Sequence, residues 1–449
     1  MKLTARGIKL SSRSNMLILI VITVITLVLE TIIARLYAFF SSGPEALQLN
    51  LLLFAAGIFI FSAVHVFIFR DVEKKINALT LSRSKRLHLT FSSSMIIQSV
   101  LSILLFVVLF QTFFEKSYST NFIITIICIS YIAGIVNLSI LLERFIRWFF
   151  NITRFIPLVF TLSTLGIVAN TIITLIFVVS VLSTQPGNIA WHQGSIVPIF
   201  SGINSLLEKL YSSSYVISYL LAWLASVAVL HNYERKLGRR FWFLVFLPLL
   251  YLLGELQPIL LPLFDEYRAI DPSTFIIIYT MFFSLVKLTG AIFFGIGLWS
   301  IGKRIKNENL KSFLSISGYG LILVFVSNQA ILLLGYLFPP LGLTTTCFLG
   351  LASFLLLAGT YSAALSVAND KDIRASIRRS VEQEFKLLDN IGEAEMHIAI
   401  RKRVFSRMKD LSSKLKEETG IESSLTVDEI KDYTALAIEE IRRNKIVKS

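Results

Sequence analysis

The feature that most restricts this chain is the sorting of its positive charges between apolar runs. Ten runs are long enough to cross a bilayer as helices, which takes about 20 apolar residues each. They cover 15–40, 51–69, 92–114, 122–142, 155–182, 213–230, 241–264, 274–301, 313–338 and 341–368. The N-terminus and the alternate connections 70–91, 143–154, 231–240 and 302–312 hold 21 Lys and Arg. The other connections, 41–50, 115–121, 183–212, 265–273 and 339–340, hold three: Lys116, Lys209 and Arg268. Basic loops stay on the cytoplasmic side. Ten spans with both termini in the cytoplasm satisfy that sorting, and one span more or fewer would scramble it. The expected class is all-α: a polytopic helical protein of the cell membrane with about ten transmembrane helices (1–368) and a cytosolic helical tail (369–449).

Composition agrees. Hydrophobic residues make up 55% of the chain and charged residues 16%, against about 25% charge in ordinary soluble domains. The formal charge of +14 does not point to nucleic acid. The tail is close to balanced, with 17 Lys and Arg against 16 Asp and Glu, so the surplus sits in the loops, where topology accounts for it. The first run is too long for a signal-peptide core and lacks a small-residue cleavage pattern, so it reads as the first span. Trp148, Trp242 and Trp299 fall at cytosolic ends of spans, as interface anchors do. The outer loop 183–212 ends in IVPIFSGINSLLEKLY, which has the pattern of a short helix lying on the membrane.

Ionisable groups inside spans are costly and mark functional or structural pairing. Arg35 and His65 sit near span ends and are expected to snorkel. Glu30, Glu255 and Lys287 lie deeper, about 15, 13 and 19 Å from the outer span ends at 1.5 Å per residue. Glu255 and Lys287 belong to consecutive spans and are candidates for an ion pair. With Asn328 and Gln329 of span nine they form the candidate mid-membrane polar site: helix glue on one reading, an ion or solute path on the other.

Catalytic chemistry has no signature here. The chain carries no P-loop, dinucleotide fingerprint, HExxH or GxSxG pattern. Cys128 and Cys347 stand alone in apolar runs, so no metal or disulfide framework is expected. His397 lacks the acidic neighbour and downstream proline of a phospho-acceptor histidine. No catalytic residue, metal site or cofactor is expected.

The stretch Thr344–Leu388 has no Gly or Pro after Gly359, so one helix is expected to leave the bilayer and run on into the tail; Asn369 and Asp372 are the residues that would instead cap a fresh helix and break it there. Asp389-Asn390-Ile391-Gly392 reads as a turn. A second tail helix over 393–419 carries the stripe Ile400, Val404, Met408, Leu411 and Leu415, with Gly420 as its stop. A third is announced by the Thr426/Glu429 capping box. Ten basic-inside spans followed by SIRRSVEQEFKLLDNIGEAE and KEETGIESSLTVDEIKDY resemble archaeal multi-pass membrane proteins with a short cytosolic helical tail. The resemblance covers about a fifth of the chain; it implies no activity, and no functional residue carries over.

The functional expectation is a non-enzymatic sensor or scaffold in the lipid bilayer, whose tail stripe engages a cytosolic protein or a second copy. The alternative is a secondary transporter or channel using the mid-membrane Glu and Lys.

Overall fold

The computed structural model describes residues 21–33, 44–78, 85–152, 154–190, 203–231, 238–252, 271–303, 305, 307–330, 332–335, 338–370, 374 and 386–419. Their architecture is all-α apart from one two-stranded ribbon. The helices are α1 (Val21–Ile33), α2 (Pro44–Ala78), α3 (Lys85–Phe110), α4 (Thr120–Asn151), α5 (Phe155–Leu182), α6 (Ile203–Leu230), α7 (Arg239–Phe246), α8 (Pro272–Lys303), α9 (Glu308–Ser327), α10 (Leu332–Gly335), α11 (Leu343–Asn369) and α12 (Lys386–Thr419). Among the described residues, seven helices are long and apolar enough to cross a membrane. They belong to α2, α3, α4, α5, α6, α9 and α11.

Burial separates these helices into two kinds. The most apolar windows of α9 and α11 are 83% and 89% buried, whereas those of α2–α6 are 33–50% buried. An outer ring thus surrounds two central helices. The ring turns Leu, Ile and Phe outward: Phe59, Ile103, Phe150 and Leu89 are all exposed. An apolar belt of that extent does not face water; this is the surface of a helical membrane protein.

Small residues set the central packing. The α9–α11 contacts Gly320–Leu356 and Ser317–Thr360 run in opposite senses along the two helices, so the pair is antiparallel. A Cβ on Gly320 would overlap the Leu356 backbone, and one on Gly359 would overlap that of Ser317. Close backbone approach of this kind substitutes for a hydrophobic driving force within lipid. Helix α4 runs parallel to α11, through Ser130–Thr346, Gly134–Leu349 and Asn137–Gly350.

At one end of the bundle, α3 passes through a π-helical turn (Gln111–Glu115) into β1 (Ser117–Ser119), which pairs antiparallel with β2 (Asn188–Ala190). Thr120 strengthens this two-stranded ribbon, its N–H donating to Gly187 O and its hydroxyl to Pro186 O. At the opposite, tail end, α12 packs against α11, α4 and α5.

Several sequence expectations are corrected. Span nine is not one helix over 313–338: α9 stops at Ser327, and the short α10 follows. The Asn151-side Trp148 is no interface anchor, being fully buried. His65 does not snorkel; it is buried, with Nδ1 bonded to Phe61 O at 2.9 Å. The residues INSLLEKLY form the first turns of α6 and not a separate surface helix. The residues 389–392 are helical within α12, not a turn. In span seven, Pro248 opens a 3-10 segment (Leu247–Tyr251) after α7, and the rest of that span lies outside the described residues.

The continuous rod from α11 into the tail is also overturned. Asp370 is extended (φ −101, ψ 115), so α11 ends at Asn369. Arg374 seals that end: its guanidinium donates to Val367 O at 3.1 Å and to Ala368 O. Its own N–H donates to Asp370 O, the first bond of a fresh turn. A cation on the last carbonyls also complements the negative end of the helix.

Candidate functional site

Three buried polar assemblies stand out, at the start of α11, at the end of α9 and under α12. The first belongs to Glu30. Helix α1 delivers its carboxyl group to the N-terminus of α11, where backbone donors have no intrahelical partner. Oε1 accepts from Gly342 N–H at 2.7 Å and the Thr344 hydroxyl at 2.9 Å. Oε2 accepts from Thr345 N–H at 3.1 Å and the Thr345 hydroxyl at 2.5 Å. Gly342, at φ +92, gives the chain its left-handed entry into α11. Glu30 is a helix cap supplied from another helix, and its acceptor capacity is largely taken up. Glu255 lies outside the described residues, as does the side chain of Lys287, whose backbone is in α8. Glu30, Asn328 and Gln329 are therefore the members of the expected polar site that the structure places.

Asn328 and Gln329 lie at the second assembly. Asn328 stops α9 with φ −76 and ψ 64. Its Nδ2 donates to Asn170 Oδ1 at 2.7 Å, and its Oδ1 accepts from Tyr131 OH at 3.0 Å. The Tyr131 oxygen in turn accepts the Ala330 N–H at 3.3 Å. Asn170 Nδ2 donates to Ser214 Oγ at 3.0 Å. Helices α4, α5 and α6 thus send Tyr131, Asn170 and Ser214 to one level, about 16–18 Å in from the ends of these helices on the ribbon side at 1.5 Å per residue. Non-helical backbone at membrane depth is tolerated only where protein or a water-filled cavity surrounds it, and the network supplies that surround. Ser327 and Gln329 are both buried, and Ser327 Oγ and Gln329 Oε1 have no hydrogen-bond partner among the described residues.

The third assembly fixes the tail helix. Trp148 Nε1 donates to Glu395 Oε2 at 3.0 Å, both residues buried. Arg154 donates to Asn390 Oδ1 at 2.6 Å. Gly392 lies so close to Val367 that a Cβ would overlap its side chain. Leu387, Leu388 and Ile391 form the floor of a cavity of about 40 Å³ whose walls include Phe145, Phe160, Leu314 and Thr360. Arg144 stacks its guanidinium over the Tyr361 ring at 4.6 Å.

Beyond this dock the expected tail face diverges from burial. Ile400 is 39% and Leu411 64% exposed, and Val404 is partly buried. The side chains of Met408 and Leu415 lie outside the described residues, as does the expected third tail helix. Sequence reasoning missed Trp148, Glu395, Asn390, Tyr131 and Ser214 as members of sites. Glu395 had a visible signal only in its place on the helical face of Leu388 and Ile391. Among the described residues no cluster of three His, Cys, Asp or Glu has the makings of a metal site. Comparison with protein-family models, with curated proteins and with solved structures finds no match for this chain.

Proposed function

We propose that this is a non-enzymatic integral membrane protein of sensor or scaffold type, in which α12 reports the state of the bundle to a cytosolic protein. The observation that carries the reading is that α12 forms the floor of a cavity among the membrane helices while its far half runs clear of them. A change in bundle packing, from a lipid or a small apolar ligand, would alter that floor directly. The Trp148–Glu395 bond and the Arg154–Asn390 bond act as a latch, and Ile400 and Leu411 give the free half an apolar contact face. The sorting of the loop charges supports this reading, in which ten spans cross the cell membrane with both termini and the latch in the cytoplasm. The tail 369–449 then works as a docked module and not as a lever, since α11 stops at Asn369.

The test is co-purification of full-length protein and a chain lacking 369–449, each with Trp148→Phe alongside. Loss of a specific partner on truncation, and altered partner yield when the latch is weakened, support the reading. An unchanged partner set in both contradicts it.

A second reading, a secondary transporter or channel, draws on the interrupted helix at Asn328. Broken helices line the solute sites of many transporters. Flux into proteoliposomes with Glu255→Gln and Lys287→Met tests whether the Glu/Lys pair belongs to such a path; unaltered flux in both removes those two residues from it.

A further inference from the structure

The gap after Ser327 has an electrical character that neither the tail nor the Glu30 cap explains. A helix C-terminus presents carbonyl oxygens and the equivalent of about half a negative charge. At α9 that end is sealed inside the bundle at the level of Tyr131 and Asn170. Two of its side chains add oxygen to it. Gln329 Nε2 donates to Val326 O at 2.9 Å, a carbonyl that requires a donor, so the amide end left over is the oxygen. Gln329 is 4% and Ser327 0% exposed, and neither Gln329 Oε1 nor Ser327 Oγ is hydrogen-bonded among the described residues. An unpaired buried polar atom in a low-dielectric core is costly. Two of them at one helix terminus, both able to act as acceptors, call for a positive or donating occupant.

We propose that the break at Ser327–Ala330 binds a small monovalent cation through Gln329 Oε1, Ser327 Oγ and carbonyl oxygens of the last turn of α9. The charge of the occupant follows from the donor set. Divalent cations are held by carboxylates as well as neutral oxygens, and the described residues bring no carboxylate to the bonds around Asn328. Neutral oxygens and a helix dipole suit a single positive charge, as at the unwound helices of ion-coupled transporters. The Asn328–Asn170–Tyr131 bonds then act as scaffolding: they hold the break open by occupying their own polar atoms and leave Gln329 and Ser327 for the ion. The proposal does not depend on the role of the tail.

The experiment is thermal unfolding of the purified full chain in NaCl, KCl and choline chloride at equal ionic strength. A site for Na⁺ or K⁺ raises the midpoint saturably over choline, by about 1–3 °C at tenfold excess over the dissociation constant. Ser327→Ala and Gln329→Leu flatten that response. Gln329→Glu, which keeps an acceptor oxygen and adds a negative charge, retains or strengthens it, and serves where Gln329→Leu does not fold. Identical wild-type midpoints in all three salts overturn the proposal and leave a bridging water as the occupant. A cation response that survives both Ser327→Ala and Gln329→Leu, or a Gln329→Glu variant whose response is lost, also overturns it, by placing the ion elsewhere.

Discussion

Glu30 and Thr345 lie 315 residues apart in sequence and share two hydrogen bonds: one carboxyl oxygen accepts both the backbone N–H and the hydroxyl of Thr345. With Gly342 and Thr344 on the other oxygen, a side chain of α1 closes the first turn of the most buried helix in the bundle. The group for which sequence alone leaves helix glue and an ion path open caps α11 from another helix.

Glu30→Ala therefore leaves donors at the start of α11 without a partner. Loss of an N-cap costs about 0.5–2 kcal/mol, and leaving several buried donors without a partner adds their desolvation, so a loss of about 2–3 kcal/mol is expected. Glu30→Gln keeps one acceptor and turns its NH₂ toward donors, for a loss of about 1–2 kcal/mol. Thermal unfolding of the purified variants checks the order wild type, Gln, Ala.

Asn328→Leu removes the acceptor of Tyr131 OH and the donor to Asn170 Oδ1. Membrane hydrogen bonds average about 0.6 kcal/mol, but two partners are stranded in a buried site, so about 1–2 kcal/mol is expected. Asn170→Leu disturbs the same network. The double variant should lose less than the sum of the two singles, with a coupling of about 0.5 kcal/mol or more. A double-mutant cycle by thermal or denaturant unfolding measures it.

Gly320→Ala places a methyl group against the Leu356 backbone, which cannot withdraw as a side-chain tip can. Overpacking of this kind costs about 1–3 kcal/mol or more. Gly187→Ala meets nothing within 4 Å and should stay within about 0.5 kcal/mol of wild type. Comparable losses at both positions would show that α9 and α11 do not cross as closely as described.

Much of the helical plan is legible because membrane spans announce themselves through length and apolarity, as in α4, α5 and α11. What escapes is long-range. The break at Asn328 is hidden because apolar residues continue on both sides of it; Tyr131, which takes the freed Ala330 N–H, comes from a helix 199 residues earlier. The end of α11 is only faintly marked, by Asn369 and Asp372 with no Gly or Pro beside them, and the group that seals it is the side chain of Arg374. Trp148 fits an interface anchor until Glu395, 247 residues on, is seen to accept its N–H. Asn328 and Gln329 are visible as an unusual polar pair; their different tasks, one bonded on both sides and one with an oxygen unbonded among the described residues, depend on neighbours that spacing does not reveal.

Helix α12 is held to the bundle by the Trp148–Glu395 and Arg154–Asn390 bonds, and breaking that latch should release its docked half. Hydrogen–deuterium exchange over 386–395, in full-length protein in lipid nanodiscs, tests it most directly. In wild type this segment should be protected relative to 401–419. Trp148→Phe or Glu395→Ala should speed exchange in 386–395 by about tenfold or more, the equivalent of about 1.4 kcal/mol of lost docking, while α11 stays protected. Equal exchange along all of α12 in wild type, or no change in either variant, would contradict the account.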